Sequence, residues 1–456
     1  MKKLISLITA SVMLLCSLAV LSSCSNACGA SLNGKDLSNY VIVYSDEDAD
    51  YSLRAAEYIK AQILARVGAD IPIIEDDETR PFKREIVVGE TSREISQSLD
   101  ADTEGLEFAI MADSGNIALE GDYFVIAAAA YYFVEAYISP ECDSTVPEGV
   151  SVHEPIVEEA KNHIILIGDG MGLYQTQMFD YLDNDFDVSD GEEEFYGYRL
   201  PYQGQSITNS LSGLTDSAAS ATAMACGVKT TNGRVGRDKD GADLKSLTEL
   251  AIELGKSAAV MSTEKSTGAT PSGFSAHADN RNDTIKIVAD QGLIEDEGVI
   301  INCDYNNSTK FGIQYIETQI SDTLEELEDE DGFFLMYEEA YIDKHCHSNN
   351  LYRAFEALMR FNQAIGRFME YAFYNPDTFV LITADHETGG LAPDASGNLV
   401  YSTDDHTNAN VLIFAYGDGA ELFDGQTIEN TQIAHTVASF WGVYDFGDQS
   451  THGYLR

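Results

Sequence analysis

Between residues 162 and 416 the chain alternates short apolar runs with longer stretches of helical periodicity, and this alternation constrains the fold more than any other feature. The runs occupy 162–167, 257–263, 333–337, 378–382 and 411–416, and the longest helical pattern covers 351–371. Runs this short and this apolar read as strands buried on both faces, so the helices between them imply a largely parallel sheet covered on both sides. The residues just past the runs are not core formers. Gly168-Asp169-Gly170-Met171-Gly172 follows the first, Glu338 ends the third with Asp343 and His347 shortly after, and Asp385-His386 follows the fourth. Carboxylates and imidazoles delivered by several strand ends suit a multi-metal hydrolytic centre better than core packing.

Two regions precede this alternation. Met1-Lys2-Lys3 is a cationic head, residues 4–21 are almost wholly apolar, and Leu21-Ser22-Ser23-Cys24 closes the segment. That order reads as an export signal rather than a spanning helix, a retained membrane anchor being the alternative. A cysteine directly after small residues resembles a bacterial lipoprotein signal. The resemblance implies removal of residues 1–23, lipidation of Cys24, and an extracytoplasmic protein anchored in a bacterial membrane. Residues 24–38 then read as a tether. Residues 39–150 carry strand patterns at 40–44, 71–74 and 85–89, helical patterns at 52–67 and 124–137, and a hairpin around Asp113-Ser114-Gly115. No reactive cluster occurs there. The layout resembles the small α/β domain that precedes bacterial glucuronidase- and hexosaminidase-type enzymes, which implies an accessory role. Residues 151–160 read as a linker and 161–456 as the catalytic domain.

With 27 basic against 76 acidic residues and a net charge of −49, the chain is a poor partner for nucleic acid or an anionic membrane surface. The same charge repels an anionic substrate at long range, so bound metals and a few placed cations must create a positive field locally. Screening over ~8 Å at physiological salt makes that arrangement workable. Cys16 would leave with the signal and Cys24 would be acylated. Cys28, Cys142, Cys226, Cys303 and Cys346 remain with no CxxC among them, which excludes a disulfide scaffold or a cysteine metal site and leaves a single disulfide open. The acidic runs at 190–194 and 322–331 read as solvated faces.

Thr215-Asp216-Ser217-Ala218-Ala219-Ser220-Ala221-Thr222-Ala223 is the remaining segment of note. Its small residues suit a helix packed close to its neighbours. A serine at such a helix's N-terminus lies among backbone N–H groups in a field suited to phosphate. Taken alone, it is equally an ordinary capping serine on an Ala-rich helix. No G-x-S-x-G elbow is present, so a nucleophilic role would need a metal to stabilise the alkoxide.

Four motifs, in order, resemble those of the alkaline phosphatase family. They are Ile167-Gly168-Asp169-Gly170-Met171-Gly172; the Thr215–Thr222 segment with Gly227-Val228-Lys229-Thr230 and Asn232-Gly233; Thr383-Ala384-Asp385-His386-Glu387-Thr388-Gly389-Gly390; and His406-Thr407 followed by Tyr416-Gly417-Asp418-Gly419-Ala420. The resemblance spans residues 161–440. It implies a three-layer α/β sandwich with a central, mostly parallel sheet, and hydrolysis of small phosphate monoesters. Ser217 would be the nucleophile and form a phosphoserine. Asp343, His347 and His406 would hold one zinc, and Asp169, Asp385 and His386 a second. Glu338, Thr270 and a shared Asp169 would hold a third ion, magnesium or a third zinc. Arg281 would clamp two phosphate oxygens with its planar fork. The resemblance also implies His347 rather than His345 as the ligand, because the family's spacing from the Asp343-Lys344 pair lands there; His347 stands four residues from Asp343, so a helical turn would put both on one side. His163 and His435 are expected to be structural, and His277 to lie near the site without being a ligand.

The chain departs from the family twice. Gly268-Ala269-Thr270 puts glycine where relatives carry Asp or His, so the third ion is expected to take a water there. Lys344, lacking a carboxylate at 268 to hold it, is expected to reach the phosphate directly or through water. The stretch between Arg281 and Glu338 is also short, so dimerisation is not carried over and the oligomeric state stays open. Alternatives are a phosphodiesterase or sulfatase of the same superfamily, or a non-catalytic surface binding lipoprotein. Sulfatases need a formylglycine context that Met224-Ala225-Cys226-Gly227 does not provide.

Overall fold

The structure is a computed structural model and describes residues 31–46, 49–78, 83–139, 144–182, 194–303, 313–448, 450 and 452–456. The signal segment with Cys24, as well as Cys28, Cys142 and residues 190–193, lie outside them. No helix of the described residues is long and apolar enough to cross a membrane. The chain divides into two compact units: one runs to Ile156 and includes Met369–Asn375, the other comprises Val157–Phe368 and Pro376–Arg456.

In the first unit β1 (Ser31–Leu32) and β2 (Lys35–Asp36) form a small hairpin. Leu32 is fully buried, and the Tyr40 hydroxyl donates to its carbonyl at 2.9 Å. The expected tether through residue 38 is therefore corrected: burial of the Leu32 side chain, with the hairpin's backbone pairing, ties residues 31–38 into the unit. β3 (Tyr40–Tyr44), β4 (Ile73–Glu75), β5 (Arg84–Val88), β6 (Phe108–Asp113), β7 (Asn116–Glu120) and β8 (Gly149–His153) make a six-stranded sheet of order β4-β3-β5-β7-β6-β8. Ser114 (φ 51) and Gly115 (φ 88) both take left-handed backbone between Asp113 and Asn116, as a two-residue hairpin turn requires. β8 corrects the linker, which begins after His153 rather than at 151. Its Val150 and Val152 face outward on an edge strand, so the alternation there marks a strand without marking a core. Residues 369–375, expected in the catalytic domain, also belong here: Glu370 pairs with Arg54 at 2.8 Å and Tyr374 stacks on Tyr58.

The second unit is built on an eight-stranded sheet. Its strands are β9 (Asn162–Gly168), β10 (Tyr202–Ile207), β11 (Ser257–Ser262), β12 (Val299–Cys303), β13 (Phe333–Glu339), β14 (Thr378–Thr383), β19 (Val411–Tyr416) and β20 (Thr427–Glu429). Between them lie short β15 (Glu387–Thr388), β16 (Ala392–Pro393), β17 (Leu399–Val400) and β18 (His406–Thr407), paired β15 with β18 and β16 with β17. The sheet order is β12-β11-β13-β9-β14-β19-β10-β20. β12 through β14 are parallel, and β19 runs antiparallel to both β14 and β10.

Every residue of β9, β13 and β14 is buried, because helices cover both faces. On one face Ile165, Ile167, Phe334, Met336, Phe379 and Leu381 pack with Ala221, Met224, Leu250, Phe274 and Ile433 from four helices. On the other, Tyr337 stacks on Phe361 and lies against Phe368 of the helix Leu351–Tyr374. A continuous apolar run is what a strand between two helical layers needs, which is why these strands were readable. The polar and edge strands β10 and β20, and the half-buried β12, carry no such run and were not expected.

Candidate functional site

Parallel register brings the chemical residues to one edge. Glu338 pairs with Ile167 and Ser262, and Thr383 with Ile167, so Asp169, Glu338, Thr263 and Asp385 all emerge at the carboxyl ends of neighbouring strands. The helix Tyr341–His347 follows β13 directly and sets Asp343 and His347 one turn apart. The β15–β18 pairing puts His406 opposite Thr388, two residues from His386.

Two groups of ligand atoms result. Asp343, His347 and His406 form one and Asp169, Asp385 and His386 the other, with the atoms of each group within 4.8 Å of one another. The imidazoles are aimed by their far nitrogens: His347 Nδ1 contacts the Asp404 carbonyl at 2.6 Å and His406 Nδ1 the Thr215 carbonyl at 2.8 Å. A carbonyl can only accept, so each Nδ1 carries the proton and each Nε2 presents a lone pair. Those two Nε2 atoms lie 3.1 Å apart and 3.4 and 3.7 Å from Asp343 Oδ1. Two lone pairs turned on one another and on a carboxylate are a cation's surroundings.

The second group is drier. Asp385 and His386 are fully buried; His386 Nε2 is 3.1 Å from Asp385 Oδ2 and 3.5 Å from Asp169 Oδ1. Asp169 Oδ1 is buried without a hydrogen bond, and Asp385 Oδ2, equally buried, has only the His386 ring against it. Buried oxygens without partners are costly in a finished protein, and a divalent cation would satisfy both. Burial, then the charges of Asp385, Asp343 and Glu338, push the Asp169 carboxyl well above its ordinary range. Burial also opposes charge on Asp385 and His386, but their mutual pairing overrides it, lowering the carboxyl and raising the imidazole. Mixed Asp/His sets of this kind fit zinc.

Ser217 is the first residue of the helix Ser217–Cys226, and its Oγ lies 3.2 Å from His386 Nε2. Asp216 caps the helix: Oδ1 accepts from the Ala219 N–H at 3.0 Å, while Oδ2 accepts from the Gly233 N–H at 2.9 Å and from Arg281 Nη1 at 3.3 Å. Arg281 is thereby tied to the residue preceding the serine, and its own N–H is held by the Gly233 carbonyl at 2.7 Å. Its side chain stays about one-third exposed, at 35%.

Thr270, second residue of the helix Ala269–Ser275, and Glu338 are both fully buried, and Thr270 Oγ1 and Glu338 Oε1 have no hydrogen-bond partner. Burial and then the Glu264 charge push Glu338 up to about 8. The expectation for Lys344 is corrected here: its ammonium is held by Glu264 Oε2 at 2.5 Å, so it is not left free for phosphate by the glycine at 268.

The other histidines separate cleanly. His345 lies over Tyr341 and outside both groups. His163 accepts from the Trp441 indole N–H at 3.1 Å inside the core, and His435 contacts the Gly227 carbonyl at 2.8 Å. His277 contacts the Leu244 carbonyl at 2.8 Å, with Glu249 and Asp290 beyond. Cys226, Cys303 and Cys346 are free thiols. Sequence reasoning missed Asp216, Thr388 and Glu264. Only Asp216 carried a signal, as a preferred capping residue directly before the Ala-rich helix.

The family model for alkaline phosphatase matches residues 160–299 and 291–404. Alkaline phosphatase 3 of Bacillus subtilis is 30% identical over 298 residues, covering 53% of this chain and 64% of the relative, so the chain spans a little under two thirds of that protein. Alkaline phosphatase 4 of the same organism is 27% identical over 334 residues, 60% of this chain and 70% of the relative. Among solved structures, the alkaline phosphatase of the Antarctic bacterium TAB5 superposes with a TM-score of 0.56 at 26% identity, covering 63% of this chain and 99% of that one. The order of strands, the two ligand groups at their carboxyl ends and these matches agree: the chain belongs to the alkaline phosphatase family.

Proposed function

We infer that the chain is a metal-dependent phosphomonoesterase acting through a phosphoserine on Ser217. One observation carries the reading: Ser217 Oγ stands at a helix N-terminus beside the Asp169–Asp385–His386 group, with Arg281 moored to the adjacent Asp216. Zinc at the Asp169–Asp385–His386 and Asp343–His347–His406 groups would supply Lewis-acid charge for the serine hydroxyl, the leaving oxygen and the attacking water. Glu338, Thr270 and Asp169 offer the oxygen donors that suit magnesium, or a third zinc. The TAB5 enzyme supports the comparison, since variants of it carry magnesium in what is termed the M3 site.

The chain's own residues then divide the work. The planar fork of Arg281 holds two non-bridging oxygens of a phosphate dianion, and Asp216 keeps that fork turned toward the serine. Ser217 Oγ gives its proton to water and attacks phosphorus in line as the bond to the alcohol oxygen breaks, and that oxygen takes a proton from water as it leaves. Water then attacks the phosphoserine and returns Ser217 to its starting state with release of phosphate. The backbone N–H groups of the first helical turn favour the negative charge throughout. A monoester dianion presents three terminal oxygens, two for the Arg281 fork and a third for the cations, whereas a diester has only two in all.

The test is turnover of p-nitrophenyl phosphate against its bis ester, with and without chelator. Faster, chelator-sensitive release from the monoester is expected. Preference for the bis ester would move the chain to the diesterase reading, and no turnover of either with the ligand groups loaded would make it a binding protein. Surface anchoring outside the cytoplasm through Cys24 belongs to the same proposal. It predicts lipid label in the native protein and its loss in Cys24→Ser.

A further inference from the structure

Gly268 has an ordinary extended backbone (φ −60, ψ 161) that any residue adopts, so its conformation does not call for glycine. Space does. A Cβ built there would stand 1.9 Å from Glu264 Oε1 and 2.4 Å from its Cδ, so the Glu264 carboxylate fills the place where a side chain at 268 would begin. The Glu264 side chain is only 14% exposed, and it is tied in from two directions. Its Oε2 receives Lys344 Nζ at 2.5 Å. Its backbone N–H donates to Ser262 Oγ at 3.0 Å, and the Ser262 hydroxyl donates in turn to Glu338 Oε2. The Glu264 charge acts on Glu338, whose Oε1 is buried without a hydrogen-bond partner, as is Oγ1 of Thr270, two residues beyond Gly268.

We propose that Glu264 supplies the third cation site with the carboxylate that position 268 lacks, presenting Oε1 to the ion and holding Lys344 with Oε2. The donor set is then Glu264, Glu338 and Thr270 with Asp169 at its border, hard oxygens throughout, as magnesium requires. Glycine at 268 is the steric condition of this arrangement, because a side chain there would displace the Glu264 carboxylate. The inference rests on the metal reading above for the neighbouring sites, and it concerns a residue that reading does not use.

The test titrates magnesium into zinc-loaded protein by calorimetry, with zinc content measured alongside. Glu264→Ala and Glu264→Gln are expected to weaken magnesium by about tenfold or more, the loss typical of a metal-site partner, with zinc content unchanged. Gly268→Asp combined with Glu264→Ala returns a carboxylate to the same space and is expected to recover most of the affinity. Gly268→Asp alone is expected to gain little, since the two carboxylates compete for one place. Native magnesium affinity in both Glu264 variants, or a double variant no better than Glu264→Ala, overturns the proposal, as does failure of the native protein to bind magnesium. Zinc content and monoester turnover report separately on the reading beneath it.

Discussion

Replacing Thr388 by valine isolates one hydroxyl that serves both ligand groups. Thr388 is fully buried, its Oγ1 lying 2.6 Å from Asp343 Oδ1 and 3.2 Å from His386 Nδ1. It has one proton to give. An ionised carboxylate can only accept, so the proton goes to Asp343 and the oxygen accepts from His386 Nδ1–H. That relay puts a proton on His386 Nδ1 and turns Nε2 toward Ser217 and the two aspartates, while fixing the Asp343 carboxylate that His347 and His406 face. Valine keeps the shape and removes both bonds. A hydrogen bond to a charged group contributes about 1.5–3 kcal/mol, and a buried carboxylate oxygen left without a donor loses most of it. At about 1.4 kcal/mol per factor of ten, zinc affinity should fall by roughly 10–100-fold, the range typical of residues that orient metal ligands. Zinc competition against a chromophoric chelator measures it, and both zincs should weaken because the relay spans both groups. Thr388→Ser should stay near the native protein. Native affinity for both zincs in the valine variant would refute the relay, and loss at one site alone would refute its reach.

Ser217→Ala should abolish the acid-stable phosphoenzyme while both zincs remain bound; a stoichiometric phosphoenzyme in that variant would exclude the serine. Metal analysis should find about one zinc fewer per chain in His347→Ala and no change in His345→Ala, because His345 lies over Tyr341 instead of in the cluster. Glu338, raised by burial and Glu264 from 4.5 to about 8, binds its proton more tightly folded than unfolded, so metal-depleted protein should lose stability as pH rises from about 4.5 to 8. Asp169 acts in the same direction, and urea unfolding at pH 5.5 and 8 should show the loss, with added magnesium and zinc reversing it. Stability that rises over that interval would contradict the carboxylate arrangement.

The layered sheet, and most of the carboxylates and imidazoles gathered at its edge, were legible in the residues alone. Residues 162–167, 333–337 and 378–382 are apolar on both faces, a pattern only a strand between two helical layers sustains, and Asp169, Glu338 and Asp385 stand at the ends of those runs. His347 was separated from His345 by the family's spacing from the Asp343-Lys344 pair, and the helix Tyr341–His347 sets it one turn from Asp343. The β8 strand and the β1–β2 hairpin were hidden because short, half-exposed strands pair through backbone hydrogen bonds, which leave little trace in side-chain type. The partners of the charged side chains came from the folded chain. Asp216 reaches Arg281 across 65 residues, Thr388 reaches Asp343 across 45, and Glu264 reaches Lys344 across 80. Residue type tells what each of these side chains can bond. The partner is chosen by which strand ends and loops the sheet's register sets side by side, and that register belongs to the folded chain as a whole.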